Sequence, residues 1–318
     1  MKKLLISILS IAALLTTTVS CSDQLEDINQ NPNAPAVPNI PAYAFYNNAV
    51  VFVMDQSRGN FSSGRMALPW VQYSAQRNYT EEDRFQFREG TNQNLYTNYY
   101  LAAQDFKTVI DLNTEPSTKL ANSPYGNSNN QIAAARVMLA YTFLQLVDAY
   151  GDVPYYSYGN KDADFQALQL LEGIDKPKFA SQAKIYADLM KELKEAAAMV
   201  VSSESVVFTK GDQLFKTPAK LVKFANSLRL RIATRVKGVV PGAEAHITEA
   251  IAGGVMTSNA DNVGVKYEAN DINPSPFYED FWINNRTDFA IANTFVDLLK
   301  GELGAFGVDP RLQKYAAP

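Results

Sequence analysis

The segment Asn130–Tyr150, NQIAAARVMLAYTFLQLVDAY, constrains this chain more than any other. Arg136 and Asp148 are its only charged positions, so it has no polar face. A helix that is apolar on nearly every side must be buried between other elements. Gly151 and then Pro154 end the run with the residues that usually terminate a helix. Such a segment points to a body of packed helices.

Further segments supply the neighbours this helix needs. Ser181–Val201 places Ile185, Leu189, Leu193, Ala197 and Val200 on one face, with Lys184, Asp188, Lys191, Glu192 and Glu195 off it. Thr217 and Pro218 are the N-cap and first-turn proline of a helix striped by Leu221, Ala225, Leu228 and Ile232 and closed by Gly238. Asp288–Lys300, closed by Gly301, reads as a fourth helix, and Asn94–Leu112 as a fifth. Strand signals are few: Ser205–Phe208 and Val263–Tyr267 read as short strands. The polar stretch Asn113–Asn129 reads as a long loop. Ala102 and Phe106 match one element of the tetratricopeptide pattern, so periodicity suggests irregular helical repeats with long inserted loops.

Chemistry is mostly excluded. Among 318 residues, 29 Lys+Arg face 33 Asp+Glu for a net charge of −4, which argues against a nucleic-acid partner. A hydrophobic share of 47% rules out a mainly disordered chain. One Cys and one His allow neither an intramolecular disulfide nor a zinc site built from those residues. His246 has no Ser, Cys or metal partner at a recognisable spacing and reads as a surface or capping residue. Gly253-Gly254 lacks the flanking strand and lysine of a phosphate-binding loop. No cofactor and no metal are expected, and no enzyme motif is present. A glycan hydrolase using two carboxylates about 5 to 9 Å apart stays open as the rival reading, and a purely structural helical-repeat protein as a third. Glu81, Glu82 and Asp83 are adjacent and look like a turn. Lys220, Lys223, Ser227, Arg231 and Arg235 form a basic stripe, either a solvated or acid-paired face or a docking surface.

The N-terminus carries an address. Lys2 and Lys3 precede an apolar stretch from Leu4 to Leu15, which is too short for the roughly 20 residues of a membrane span. Cys21 follows where cleavage is expected. It is either a stray thiol or a lipidation site, and its position favours lipidation although Thr18-Val19-Ser20 lacks the usual aliphatic residue. Residues 1–20 then form a signal peptide and 21–42 a lipidated, extended lead-in, ahead of a helical domain over 43–318. The acidic run after Cys21 suits a solvated tether and also resembles the surface-export signal of Bacteroidetes lipoproteins.

The segment Trp70–Tyr100 is the most suggestive. Trp70, Tyr73, Tyr79, Phe85 and Phe87 alternate with Gln72, Gln76, Arg77, Asn78 and Arg84. Sugars offer C–H faces to rings and hydroxyls to amides and guanidinium groups. Trp70, Tyr73, Arg77, Tyr79 and Arg84 are therefore the candidate ligand-binding residues, with Tyr278 and Trp282 as a second cluster. The competing reading makes these rings core residues.

These pieces together resemble the SusD/RagB family of Bacteroidetes outer-membrane lipoproteins. The resemblance rests on Cys21 with its acidic tail, on Asn29–Pro32 (NQNP), and on Tyr150–Tyr155 (YGDVPY). It continues through Lys223–Arg235 (KFANSLRLRIATR) to Asp309–Leu312 (DPRL), and NQNP with Arg286–Ala290 (RTDFA) looks most like the second SusD-like subgroup. The resemblance implies a mainly α fold, a right-handed superhelix of tetratricopeptide-like helix pairs with long irregular loops. It also implies a cell-surface, lipid-anchored outer-membrane protein that binds a glycan or other nutrient and delivers oligosaccharide to a SusC-like TonB-dependent transporter. Family relatives continue past the DPRL segment, so the domain is expected to be incomplete at its C-terminus. An exposed apolar patch is accordingly expected around Ile291, Phe295, Leu298 and Leu299.

Overall fold

The computed structural model describes residues 36–86 and 88–315. Cys21, the signal segment, the NQNP motif and Phe87 lie outside the described residues. The chain divides into a unit up to Ile40, of which a short 3-10 turn Val37–Asn39 is described, and a main unit from Pro41.

The main unit is mainly helical. Its helices are α1 (Ala42–Arg58), α2 (Glu89–Thr114), α3 (Pro116–Asn122), α4 (Ser128–Tyr150), α5 (Gln182–Ala198), α6 (Pro218–Arg235), α7 (Ala243–Ala252) and α8 (Asn293–Leu299), besides a π-helical stretch Asn60–Ala67 that runs into Leu68–Trp70, and shorter helical pieces. Apart from the short α3, each of α1 to α7 packs on the next in chain order: α1 on α2, α2 on α4, α4 on α5, α5 on α6 and α6 on α7. Helix 1 has no charge before Asp55, and it buries Tyr46, Ala49, Val50 and Val53. Sequence reading did not identify it.

Helix α4 is the apolar segment, and its Ile132, Val137, Phe143, Leu144 and Val147 are buried. Among the described residues it is the one helix long and apolar enough to cross a membrane, and most of it is covered by its neighbours. Asn127 caps its start by accepting from the Asn129 N–H, and Gly151 ends it at φ +77°. The buried Arg136 is neutralised by Glu192 and Glu195 of α5, each at 3.0 Å. The Ser181 and Thr217 side chains cap α5 and α6.

Several expectations need correction. Asn113–Asn129 is not a loop, because it contains the end of α2, all of α3 and the start of α4. Three of its polar side chains are buried and paired: Asn113 Nδ2 donates to the Val109 carbonyl and to Gln131 Oε1, Thr118 Oγ1 to the Leu112 carbonyl, and Asn122 Nδ2 to the Thr118 carbonyl while its Oδ1 accepts from the Ala42 N–H. Ser205–Phe208 is irregular. Val263–Tyr267 is extended, with Val263, Val265 and Tyr267 turned inward, but it pairs with no strand. Asp288–Lys300 is split, its first part forming strand β4 and its remainder α8. Helix 5 ends at Ala198, short of Val201.

The strands are β1 (Ser74–Gln76), β2 (Val153–Pro154), β3 (Phe179–Ala180) and β4 (Phe289–Ile291). Two antiparallel pairs result, β1 with β4 and β2 with β3. The apolar side expected on the last helix divides: Leu299 is buried and Phe295 packs on Tyr73 at 4.8 Å and Tyr315 at 5.9 Å, whereas Ile291 and Leu298 are exposed, as are Leu303, Phe306 and Val308 beyond the helix. Three members of the basic stripe are engaged. Lys223 pairs with Asp261 at 2.7 Å, Arg235 pairs with Asp148, and the Ser227 hydroxyl accepts from the Met256 N–H. His246 is not a cap; its Nδ1 accepts from Arg229 Nε at 2.7 Å.

Candidate functional site

The β1–β4 ladder joins segments more than 200 positions apart, with Ser74 opposite Ile291, Ala75 opposite Ala290 and Gln76 opposite Phe289. Bonds at both ends extend it: Arg77 N–H donates to the Asp288 carbonyl at 2.5 Å, and Ala292 N–H to the Tyr73 carbonyl at 3.2 Å. The pairing brings the loop after α1 against the segment after α7. The segments that carry the two sequence-predicted clusters therefore lie against each other, with Tyr73 sharing a cleft with Phe277 and Phe281.

A small polar core shapes the first loop. Gln76 is buried, its Nε2 donating to Glu82 Oε2 at 2.8 Å and its backbone N–H to Asp83 Oδ2 at 2.6 Å. Arg88 closes the turn through ion pairs to Glu81 and Glu82 at 2.5 and 2.9 Å. Trp70 is half-buried and donates from Nε1 to the Glu82 carbonyl, so it supports the loop from beneath. Gln76 likewise faces inward and cannot meet a ligand.

The remaining rings face outward. Tyr73, Tyr79, Phe85 and Trp282 are exposed by 52%, 59%, 62% and 72%. Six non-glycine residues among those described have positive φ, and four of them, Gln72, Tyr79, Phe85 and Asn285, lie in these two segments. A bulky residue at positive φ is strained, and such strain persists where surrounding structure enforces it, often at functional sites. Arg65 lies over the Tyr79 ring at 5.8 Å. Arg77 and Arg84 are exposed; Arg84 Nε reaches only the Thr80 carbonyl at 3.2 Å.

The second cluster is a short helical segment, Pro276–Ile283, begun by the Ser275 hydroxyl cap. Its side chains leave in separate directions. Tyr278 and Trp282 stack on each other at 6.2 Å and 21°. Phe277 and Phe281, stacked at 5.7 Å, line an apolar cleft of about 350 Å³ together with Leu68, Tyr73, Phe289 and Ile291. Pro276 and Glu279 border a polar cleft of about 240 Å³ with Asp55, Gln56, Thr91 and Asn94. Burial pushes the Asp55 carboxyl upward, opposed by the Tyr267 hydroxyl that donates to it at 2.7 Å. Phe277, Phe281 and Phe289 escaped sequence reading, although the i, i+4 spacing of Phe277 and Phe281 runs parallel to that of Tyr278 and Trp282.

A larger open groove of about 640 Å³ lies at the start of α4, but no aromatic ring lines it. Among the described residues no three His, Cys, Asp or Glu side chains gather as a metal site.

Known proteins share this architecture. The Bacteroidetes AC2a SusD-like structure matches with a TM-score of 0.66 at 22% identity, over 86% of this chain and 50% of that one. A chitin-binding protein matches with a TM-score of 0.64 at 23% identity, over 86% and 54%. A SusD homologue of Parabacteroides distasonis gives 0.61 at 19% identity, over 77% and 46%. The chain thus spans about half the length of the solved structures it matches, and at these identities they establish the fold alone. No curated protein sequence matches significantly. The family model described as SusD-like, starch-binding and associating with the outer membrane matches residues 32–318, and the chain belongs to that family.

Proposed function

We propose that this protein binds a glycan at the outer membrane through the face built on the β1–β4 pair. The observation that carries the reading is the outward presentation of Tyr79 and Phe85 on positive-φ backbone, with Tyr73 and Trp282 also exposed on the segments that the ladder joins. Rings held out of the core offer flat apolar surface to sugar C–H faces, and Arg77 and Arg84 offer donors to hydroxyls. Family membership supports a carbohydrate ligand. In this reading Cys21 carries the lipid anchor, the face points away from the cell, and bound oligosaccharide passes to a SusC-like TonB-dependent transporter.

Binding without hydrolysis is the favoured chemistry. Carboxylates flanking the ladder already hold the loops together: Glu81 and Glu82 on Arg88, Asp83 on the Gln76 N–H, and Asp288 on Arg286. A hydrolase needs one such group as acid and a second as base or nucleophile.

A glycan array on the full chain, followed by product analysis of each hit, tests the reading. Saturable binding with intact oligosaccharide supports it. New reducing ends would establish the hydrolase, and absence of any glycan binding would remove the proposal. Cys21→Ala tests the anchor separately: the variant should leave the outer-membrane fraction, and wild-type partitioning would refute lipidation.

A further inference from the structure

A third cleft, of about 270 Å³, lies away from the aromatic face, where α1, α4 and α6 meet the extended strap 263–267. Met54, Leu214, Phe224, Val263 and Val265 give it apolar walls. The strap alternates strictly, Val263, Val265 and Tyr267 turned inward and Asn262, Gly264 and Lys266 outward, yet no second strand pairs with it. Tyr267 pins it instead, its hydroxyl donating to Asp55 Oδ1 on α1 at 2.7 Å.

Three features describe what such a space accepts. Tyr141, Phe224 and Tyr267 contribute rings from three different elements, which suits a flat aromatic body. Arg58 is the one charged side chain in the lining, and among the described residues it makes no ion pair. Asp55, one turn before Arg58 on α1, accepts from Tyr267 and borders the neighbouring cleft. A volume this small admits one ring with a short substituent, not a chain of sugars.

We propose that this cleft is a binding site for a small aromatic monocarboxylate, its ring between the apolar walls and its carboxylate on the Arg58 guanidinium. A planar guanidinium receives a carboxylate through two parallel hydrogen bonds, which a neutral amide cannot reproduce. The site is independent of the glycan reading, since none of its lining residues belongs to the β1–β4 face.

The probes are phenylacetate and its neutral isostere phenylacetamide, titrated into full-length protein carrying ¹³C-methyl methionine. Phenylacetate should shift the Met54 methyl resonance saturably and leave Met190, buried in α5, unmoved. It should bind about tenfold or more tightly than the amide, as expected for a charge-assisted contact. Arg58→Gln should bring the two probes within about twofold of each other, and Arg58→Lys should restore part of the preference. No saturation of Met54 up to about 10 mM phenylacetate would overturn the proposal. So would a carboxylate preference that survives in Arg58→Gln, or shifts confined to other methionines.

Discussion

The stacked helices and the β1–β4 face use the same aromatic residues to opposite ends. Within the stack, Tyr100, Phe143, Tyr155 and Phe165 form an edge-to-face series at 6.0, 4.8 and 4.7 Å, and Phe143 and Tyr155 are buried. On the face, Tyr79, Phe85 and Trp282 stand in solvent. The difference lies in how the backbone is held. Tyr100 and Phe143 sit on helical chain that satisfies its own hydrogen bonds, and Tyr155 and Phe165, on the irregular chain after β2, are buried against them. Tyr79 and Phe85 sit on left-handed backbone in a loop secured by side-chain bonds, and Trp282 on a short helical segment next to the ladder's second strand in the chain. At Tyr79 and Phe85 the backbone is strained while the ring stays out of the core, and the proposed glycan contact gives that strain a use.

The sharpest way to test the stability half of this contrast is the buried charge between α4 and α5. Arg136 and Glu192 expose only 4% and 6% of their side chains, and the Tyr158 ring lies 4.6 Å from the guanidinium. Glu192 also accepts from the Ser157 hydroxyl and, at 2.6 Å, from the Gly159 N–H, so the pair ties the loop after β2 to the helices. Arg136→Ala leaves Glu192 buried without its cation and should cost about 3 to 5 kcal/mol in urea unfolding. A loss below about 1 kcal/mol would mean that the charge is solvated, contrary to the packing described.

How far each region is legible in sequence follows from the same contrast. Helices α5 and α6 announce themselves because one periodicity decides their burial, as with Ile185, Leu189 and Leu193, and α4 because it is apolar on nearly every side. Asn113–Asn129 misleads because its polar run resembles a loop, whereas it is largely helical and its Asn113, Thr118 and Asn122 are buried and hydrogen-bonded. Helix 8 was overextended because Phe289–Ile291 fits a helical stripe equally well; its pairing with β1 decides otherwise, and no local pattern encodes that partner. Residue type alone nominates both candidate clusters. That β1 and β4 bring their segments together is not legible in the sequence, nor is the inward turn of Trp70, since both depend on long-range or loop geometry.

A milder probe lies where α6 meets α7. His246 Nδ1 accepts from Arg229, which can only donate, so the imidazole must be neutral in the fold. Burial first, then the Arg229 charge, holds its pKa below the ordinary value; Lys194 acts in the same direction and Glu249 opposes. Unfolded chain takes up the proton near the usual pH of about 6.5 while folded chain resists it to lower pH. Stability should therefore fall as pH drops through and below about 6.5, because acid favours the state that binds the proton. As this is the only histidine, His246→Gln should flatten the dependence of Tm between about pH 7.5 and 5.5. Equal slopes in both proteins would show that the Arg229 contact does not govern the titration.

The smallest expected stability change is at Tyr79, and it bears most directly on the contrast. Its ring is 59% exposed and its φ is +56°, a conformation that costs a non-glycine residue about 1 kcal/mol or more. Tyr79→Gly removes that strain but loosens the unfolded chain by a comparable amount, about 0.4 to 1 kcal/mol. The Arg65–ring contact at 5.8 Å is also lost, a further 0.5 to 1 kcal/mol at roughly exposed sites. These opposing terms nearly cancel, so the unfolding free energy should move by no more than about 1 kcal/mol in either direction. Glycan affinity, measured on the array hit with the highest signal, should nevertheless fall several-fold, as should that of Trp282→Ala. If Tyr79→Gly costs well over 1 kcal/mol, the ring is structural and the face loses its best-placed contact. If stability is kept and affinity is also unchanged, the strained loop presents Tyr79 to something other than the glycan.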